Sequence, residues 1–205
     1  MGTGTKIALG VVAAIVLFVI IFGAAIASTY NSLNTLDQGA QAQWAQVENV
    51  YQRRADLVPN LVATVKGAAN FEQSTLTAVT EARSRVGQVT TGAVENIARD
   101  PQAFARFQQA QDALSSALSR LMVVVERYPE LKATQNFREL QAQLEGTENR
   151  ITVERMRFNE AAQAFNTKRD SFPTVLIAGF FSSRFQEKPY FKSQAGAEKA
   201  PEVKF

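Results

Sequence analysis

The stretch FRELQAQLEGTENRITVERMRFNEAAQAFNTKRDSF, residues 137–172, decides the fold of this chain. Large apolar residues occupy every seventh position in it: Phe137, Leu144, Ile151, Phe158, Phe165 and Phe172. Seven residues are close to two turns of α-helix, so the spacing predicts a helix of about forty residues with these side chains on one side. The neighbouring seven-residue row is only partly apolar and comprises Leu140, Thr147, Glu154, Ala161 and Lys168. A helix this long and this one-sided is typical of proteins whose helices pack side by side.

The amino-acid composition argues against several classes of function. The chain has 205 residues, with 14 Phe but only 11 Gly and 6 Pro, and this favours helix from about residue 29 to residue 172. Its net charge of +3, without a long basic run, argues against nucleic acid as a partner. The absence of cysteine excludes disulfides and thiolate nucleophiles, and the absence of histidine removes the commonest general base and transition-metal ligand. We therefore predict no catalytic residue, no cofactor and no metal site.

An uncharged apolar segment, IALGVVAAIVLFVIIFGAAIA, occupies residues 7–27. At 1.5 Å per residue it is long enough to cross a hydrocarbon core of about 30 Å. A cleaved signal peptide is the alternative, because Ala25-Ile26-Ala27 fits a small-x-small cleavage pattern. We favour a retained single-pass anchor in the bacterial cytoplasmic membrane. Since Lys6 precedes the segment, we expect a cytoplasmic N-terminus and an extracytoplasmic remainder.

The segment after the anchor carries two adjacent apolar rows with seven-residue spacing. One row is Ala40, Val47, Arg54 and Leu61, and the other is Trp44, Tyr51, Val58 and Val65. Pro59 lies inside this helix, so we expect a kink or a break near Ala55 to Val58. Gly67 and residues 68–70 form a second candidate break.

Further helices follow from apolar spacing. A shorter one carries Leu76, Val79, Ala82 and Val86, and residues 87–100 are predicted to form a loop. Asp100-Pro101 should begin a third helix that ends near Tyr128-Pro129, and its apolar side comprises Phe104, Phe107, Leu114, Leu118, Leu121 and Val125. The predicted fold is all-α, with an N-terminal transmembrane helix followed by an antiparallel up-and-down four-helix bundle. Three long helices are the alternative, which applies if no break occurs near residues 67–71.

The predicted organisation has four parts. These are an anchor over residues 1–28, a helical bundle over 29–172, an aromatic membrane-proximal or docking segment over 173–185, and a flexible polar tail over 186–205.

Three strings carry a family resemblance. The first is WAQVENVYQRRADLVPNLV at residues 44–62, the second is YPELKA at 128–133 with TENRI at 147–151, and the third is Phe172-Pro173 with the aromatic residues after it. Together they resemble the LemA family over residues 1 to about 185. The resemblance implies a membrane anchor and a helical bundle, in bacterial membrane proteins with no assigned enzyme activity. This chain has Asn70-Phe71 where similar proteins often have a histidine.

Charged residues in the apolar rows form the first candidate site. Arg54 and Glu154 occupy row positions, and Glu148 and Asn149 lie nearby on the long helix. Burying a lone charge is costly, so we interpret the four as a cross-helix ion pair or polar layer that fixes helix register. A ligand pocket in the bundle core is the alternative. Catalysis by paired carboxylates is a weaker hypothesis, because no positioned nucleophile or anion hole accompanies them.

The second candidate site is the aromatic segment at residues 175–185, which is too short to span a membrane. Phe180, Phe181 and Phe185 must be buried at the end of the bundle, inserted at a membrane interface or docked on another subunit. We take them as a candidate interface with lipid or with a neighbouring subunit.

These features predict a non-enzymatic, membrane-anchored bundle that acts by self-association or as a scaffold or adaptor for other membrane proteins. The expected partners are the lipid bilayer and either a second copy or other membrane proteins. An extracytoplasmic ligand-sensing bundle is the alternative. Only six residues precede the anchor, so a sensor would need a separate partner to carry its signal.

Overall fold

The computed structural model describes residues 2–67, 72–91 and 97–192. In these ranges the secondary structure is entirely helical, which confirms the all-α prediction. The helices are α1 (Thr3–Lys66), α2 (Gln73–Thr91), α3 (Pro101–Val125), α4 (Pro129–Ala133), α5 (Gln135–Asp170) and α6 (Thr174–Phe180). The end of α1 at Lys66 separates it from α2, and this favours the four-helix arrangement over the three-helix alternative.

Helix α1 is a single helix of 64 residues that contains both the apolar span and the first bundle helix. From Ile7 to Phe22 its large apolar side chains are exposed. From Leu33 onward one side of the helix is buried, and it packs along α5. The span is therefore joined to the bundle without an intervening loop.

Of the kink or break predicted near Ala55 to Val58, the break is wrong, because α1 continues through Pro59. Proline has no backbone N–H, so the carbonyl oxygen of Ala55, four residues earlier, loses its helical partner. Nε of Arg83 on α2 donates to that oxygen at 2.9 Å. A side chain from the neighbouring helix thus replaces the missing hydrogen bond.

Helix α2 extends further than the apolar spacing predicted. Residues 87–91 are helical, so the predicted loop over 87–100 begins too early, and residues 92–96 lie outside the described ranges. Buried Val86 and partly buried Val89 hold this turn against the core, and their packing outweighs the low helix propensity of Gly87. The predicted start of α3 is confirmed, since the Asp100 side chain accepts a hydrogen bond from the backbone N–H of Gln102 and Pro101 is the first helical residue.

The core contains three clusters along the bundle. The cluster farthest from the apolar span joins Val58, Leu61 and Val65 of α1 to α2, α3 and the beginning of α5. A middle cluster surrounds Trp44, and a third, nearest the span, joins Leu33 to the end of α5 and to α6. The two rows predicted for α1 are buried throughout. They comprise Ala40, Trp44, Val47, Tyr51, Arg54, Val58, Leu61 and Val65.

Five of the six apolar residues in the row on α5 are buried, but Phe172 is 81% exposed. Its predicted place in the row is wrong because α5 ends at Asp170 and Ser171 is extended. The Phe172-Pro173 peptide bond is cis.

The predicted flexible tail is also wrong in its first part. Residues 186–192 have no regular secondary structure, but they pack on the bundle, and Lys188 and Phe191 are buried. We call residues 186–192 the C-terminal strap. Residues 193–205, the rest of the predicted tail, lie outside the described ranges.

Candidate functional site

A buried polar layer lies at the middle of the bundle, between α1, α3 and α5. At its centre is Arg54, whose side chain is 1% exposed. Its Nη1 donates to Ser115 Oγ at 2.6 Å and to Glu148 Oε1 at 2.8 Å. Its Nη2 donates to the side-chain oxygen of Gln111 at 2.6 Å and to the backbone oxygen of Gln111 at 3.1 Å. One guanidinium therefore connects three helices by charge-assisted hydrogen bonds.

The structure brings Arg54 and Glu148 together but leaves Glu154 and Asn149 out of the pair. Glu154 bonds Arg157 on its own helix at 2.8 Å. Asn149 is exposed beside Glu148. Arg54, which the seven-residue spacing placed in an apolar row, is buried, and the carboxylate of α5 that lies opposite it is that of Glu148.

A second guanidinium lies next to this layer and was not singled out from the sequence. Nε of Arg155 donates to the Tyr51 hydroxyl at 2.5 Å, and its Nη2 lies 3.5 Å from Asp112 Oδ1. The guanidinium carbons of Arg54 and Arg155 lie 5.0 Å and 5.5 Å from the centre of the Tyr51 ring. Burial raises the pKa of the Tyr51 phenol, and the two cations oppose that rise.

A buried ion cluster lies nearer the membrane end. Asp37 of α1 pairs with Lys188 of the C-terminal strap at 2.5 Å, and its other oxygen pairs with Arg99 at 2.5 Å. Gln41 also donates to Asp37 at 2.7 Å. Burial lowers the pKa of Lys188, an effect that Asp37 opposes. Asp37 was detectable from its spacing within the buried row of α1, whereas Lys188 follows the last helix and has no periodic signal.

An open groove of about 570 Å³ runs between α3 and α5 beside the polar layer. The side chains that line the groove have the same spacing on both helices, at positions i, i+3, i+4 and i+7. The lining residues are Ser115, Leu118, Ser119 and Met122 of α3, and Gln141, Leu144, Glu145 and Glu148 of α5, together with Asn149.

The three phenylalanines of the predicted interface have different environments. Phe185 is fully buried against Phe165 and Tyr30, so its assignment to an exposed interface is wrong. Phe181 is partly buried and contacts Tyr30, with ring centres 5.2 Å apart. Phe180 is 83% exposed. Phe185 is buried because it lies beyond the end of α6, after a turn that brings the chain back against α1 and α5.

Within residues 2–67, 72–91 and 97–192, no three acidic side chains come close enough to hold a metal ion.

These observations define a class, namely all-helical proteins whose N-terminal apolar helix supports membrane anchoring. The sequence profile of the LemA family matches residues 43–205, so the chain belongs to the LemA family. Magnetosome proteins MamQ 1 and MamQ 2 of Paramagnetospirillum magneticum are each 28% identical to it over 207 positions, which cover 92% of this chain and 75% of each relative. Protein LemA of Metamycoplasma hominis is 25% identical over 132 residues, which cover 64% of this chain and 55% of that protein.

Proposed function

We propose that this protein is a membrane-anchored scaffold or adaptor that acts by associating with other proteins and catalyses no reaction. The continuity of α1 is the observation that carries the proposal. One helix passes from the apolar span into the bundle and packs there along α5. The bundle is thereby joined to the span by a continuous helix and not by a flexible loop, an arrangement that suits a scaffold attached to a membrane.

The groove between α3 and α5 is the surface best suited to a partner. Each wall presents side chains at the spacing of one helix face, and this is the geometry that accepts a third helix. Met122, which is partly buried, supplies an apolar contact beside the buried Leu118 and Leu144, while Glu145 and Glu148 make the α5 wall acidic. We therefore propose an amphipathic helix with basic residues along one edge as the occupant.

Site-specific photocrosslinking tests this proposal in the full chain in membranes. A photoreactive residue at Ser119 lies in the groove, and one at exposed Thr77 on α2 is the matched control. We expect a crosslinked protein from position 119 that is absent from position 77. We also expect Glu145→Lys to weaken the crosslink and Glu139→Lys, on the same helix outside the groove lining, to leave it unchanged.

Mass spectrometry of the product distinguishes a second copy from another membrane protein. The scaffold proposal is wrong if position 119 gives no crosslink and the chain extracted in mild detergent is strictly monomeric without a co-purifying protein.

A ligand sensor is the second candidate, favoured by the polar side chains that line the same groove. Ser115, Gln141 and Asn149 offer hydrogen-bonding groups around an opening of about 570 Å³. A screen of small metabolites by thermal shift tests it. A compound that raises the melting temperature of the full chain, but not that of Asn149→Ala, would favour the sensor.

A further inference from the structure

The second apolar surface of the molecule lies on α6, next to the anchor. Thr174 and Ala178 face inward and are buried. Leu176 and Phe180, four residues apart on α6, face outward with exposures of 66% and 83%, and Phe172, just before the helix, is 81% exposed. We call these three residues the α6 apolar face. An exposed Phe presents roughly 150–250 Å² of surface, so the face amounts to a few hundred Å², the size at which an apolar patch on a soluble protein usually marks a binding surface.

The position of α6 along α1 indicates what covers this face. Leu176, Ile177 and Phe180 line a groove of about 390 Å³ together with Phe22 and Ile26 of α1. Phe22 and Ile26 belong to the uncharged span of residues 7–27, within the last turn and a half before its end. If that span crosses the bilayer, α6 therefore lies at the depth where hydrocarbon meets the headgroups.

The residues around α6 fit this boundary. On the bundle side, Arg184 donates to Asn34 at 2.9 Å, and Arg169 donates to the backbone oxygen of Phe185 at 2.9 Å. Polar and charged groups thus begin just beyond the α6 apolar face. Tyr30, which packs on Phe181 and Phe185, lies at the same level, as aromatic residues with a polar tip commonly do at membrane interfaces.

From these positions we infer that α6 inserts its apolar face into the bilayer that the anchor crosses, and that lipid acyl chains fill the groove between α6 and α1. The bilayer is the occupant because the face is continuous with the apolar surface of the anchor. Two attachment points, one spanning helix and one interfacial helix, then hold the bundle against the membrane. This inference rests on the anchor and is independent of the scaffold proposal.

The absence of cysteine makes a direct test available, because a single introduced cysteine is the only thiol to label. Phe180→Cys and Leu176→Cys in the full chain are labelled with an environment-sensitive fluorophore and reconstituted into vesicles of neutral phospholipid. Val123→Cys on α3 is the matched control, since Val123 is apolar and 71% exposed but lies near the far end of the bundle. Circular dichroism and thermal melting establish that each labelled variant is folded.

We expect the labels at positions 176 and 180 to emit at shorter wavelength than the label at 123. We also expect lipids carrying a spin label to quench them and aqueous iodide to leave them largely unquenched. The inference is overturned if iodide quenches the label at 180 as strongly as the label at 123. It is equally overturned if the labels are protected from iodide but not quenched by lipid, because a protein surface would then cover α6.

Discussion

Arg54 illustrates how a position in an apolar row can hold a charge. Its guanidinium is buried, and four hydrogen bonds from its terminal nitrogens to Gln111, Ser115 and Glu148 replace lost water, while its Nε has no hydrogen-bond partner among the described residues. The carboxylate of Glu148 is 41% exposed, so one partner of the pair keeps part of its hydration. Hydrogen bonds therefore offset most of the free-energy cost of burying this layer, and the attraction between the opposite charges offsets a smaller part.

We predict that Arg54→Ala lowers the free energy of unfolding by about 3 kcal/mol, because Gln111 loses its hydrogen-bond partner inside the core. Glu148→Gln should cost less, about 1 kcal/mol, since water screens its half-exposed charge. Urea unfolding of the full chain in detergent micelles measures both. Glu154→Gln is the control and should stay within about 0.5 kcal/mol, because its partner Arg157 is exposed. A loss for Glu154→Gln as large as that for Arg54→Ala would contradict this account.

Tyr51 makes the stability of the folded chain depend on pH in the alkaline range. Burial raises the pKa of its phenol above the ordinary value of 10.0. The folded chain therefore holds the phenolic proton more tightly than the unfolded chain does. The resulting stability is fully present below pH 10.0 and is lost as pH rises through the folded pKa.

We predict that Tyr51 ionises in a late step, above the ordinary phenol pKa of 10.0. An absorbance titration of tyrosinate should show this late step in the wild type and not in Tyr51→Phe. Unfolding measured across the same pH range should show a smaller alkaline loss of stability in the variant. An unchanged late step in Tyr51→Phe would assign it to another tyrosine.

At the scale of elements, the passage of α1 through Pro59 depends on α2. Arg83→Met should lower the free energy of unfolding by about 1 kcal/mol, because it leaves the oxygen of Ala55 without a donor. In a Pro59→Ala background the same change should cost much less, since the N–H of Ala at position 59 can bond that oxygen. A double-mutant cycle in urea measures the coupling. Arg85→Met, an exposed arginine on the same helix, should have little effect in either background. Equal losses from Arg83→Met in the two backgrounds would show that the bond does not compensate for the proline.

The C-terminal strap closes the middle cluster of the core. Phe191 contacts Trp44, Phe104 and Phe158, with ring centres 4.7 to 6.0 Å apart. Phe191→Ala should destabilise the chain by about 3 kcal/mol by leaving a cavity among these rings. Trp44 is the only tryptophan, so a red shift of its emission reports the exposure directly. Lys192→Ala, at the exposed next position, should change neither quantity.

The helices could be predicted because each has a row of buried residues at helical spacing. The contacts between the helices could not be predicted. The rows on α1 and α3 and the Asp100-Pro101 start follow from local sequence. Sequence spacing gives the side of a helix on which Arg54 lies, but not its longitudinal alignment with α5, so Glu148 could not be chosen over Glu154. Lys188 and Phe191 lie on a non-helical segment without periodicity, and their burial depends entirely on tertiary packing. Arg83 could not be identified from the sequence, because it can bond the oxygen of Ala55 only where α2 packs beside Pro59.

At the scale of the whole molecule, the orientation of the chain in the membrane remains a prediction. Lys6 before the span favours a cytoplasmic N-terminus. Protease added to spheroplasts of an expressing bacterium should then digest the bundle, while a cytoplasmic marker protein stays intact. Full protection of the bundle would place it in the cytoplasm.

The continuity of α1 has a mechanical consequence. From the end of the span at Ala27 to its own end at Lys66, the helix extends about 58 Å beyond the hydrocarbon at 1.5 Å per residue. A spanning helix adapts to a thinner or thicker bilayer by tilting, commonly by about 20°. A stiff rod of this length behaves as a lever, so that tilt would swing the distal end sideways by roughly 20 Å. The α6 apolar face, seated beside the pivot, would limit the swing, and the swing that remains would make the position of the distal surface depend on the thickness of the surrounding membrane.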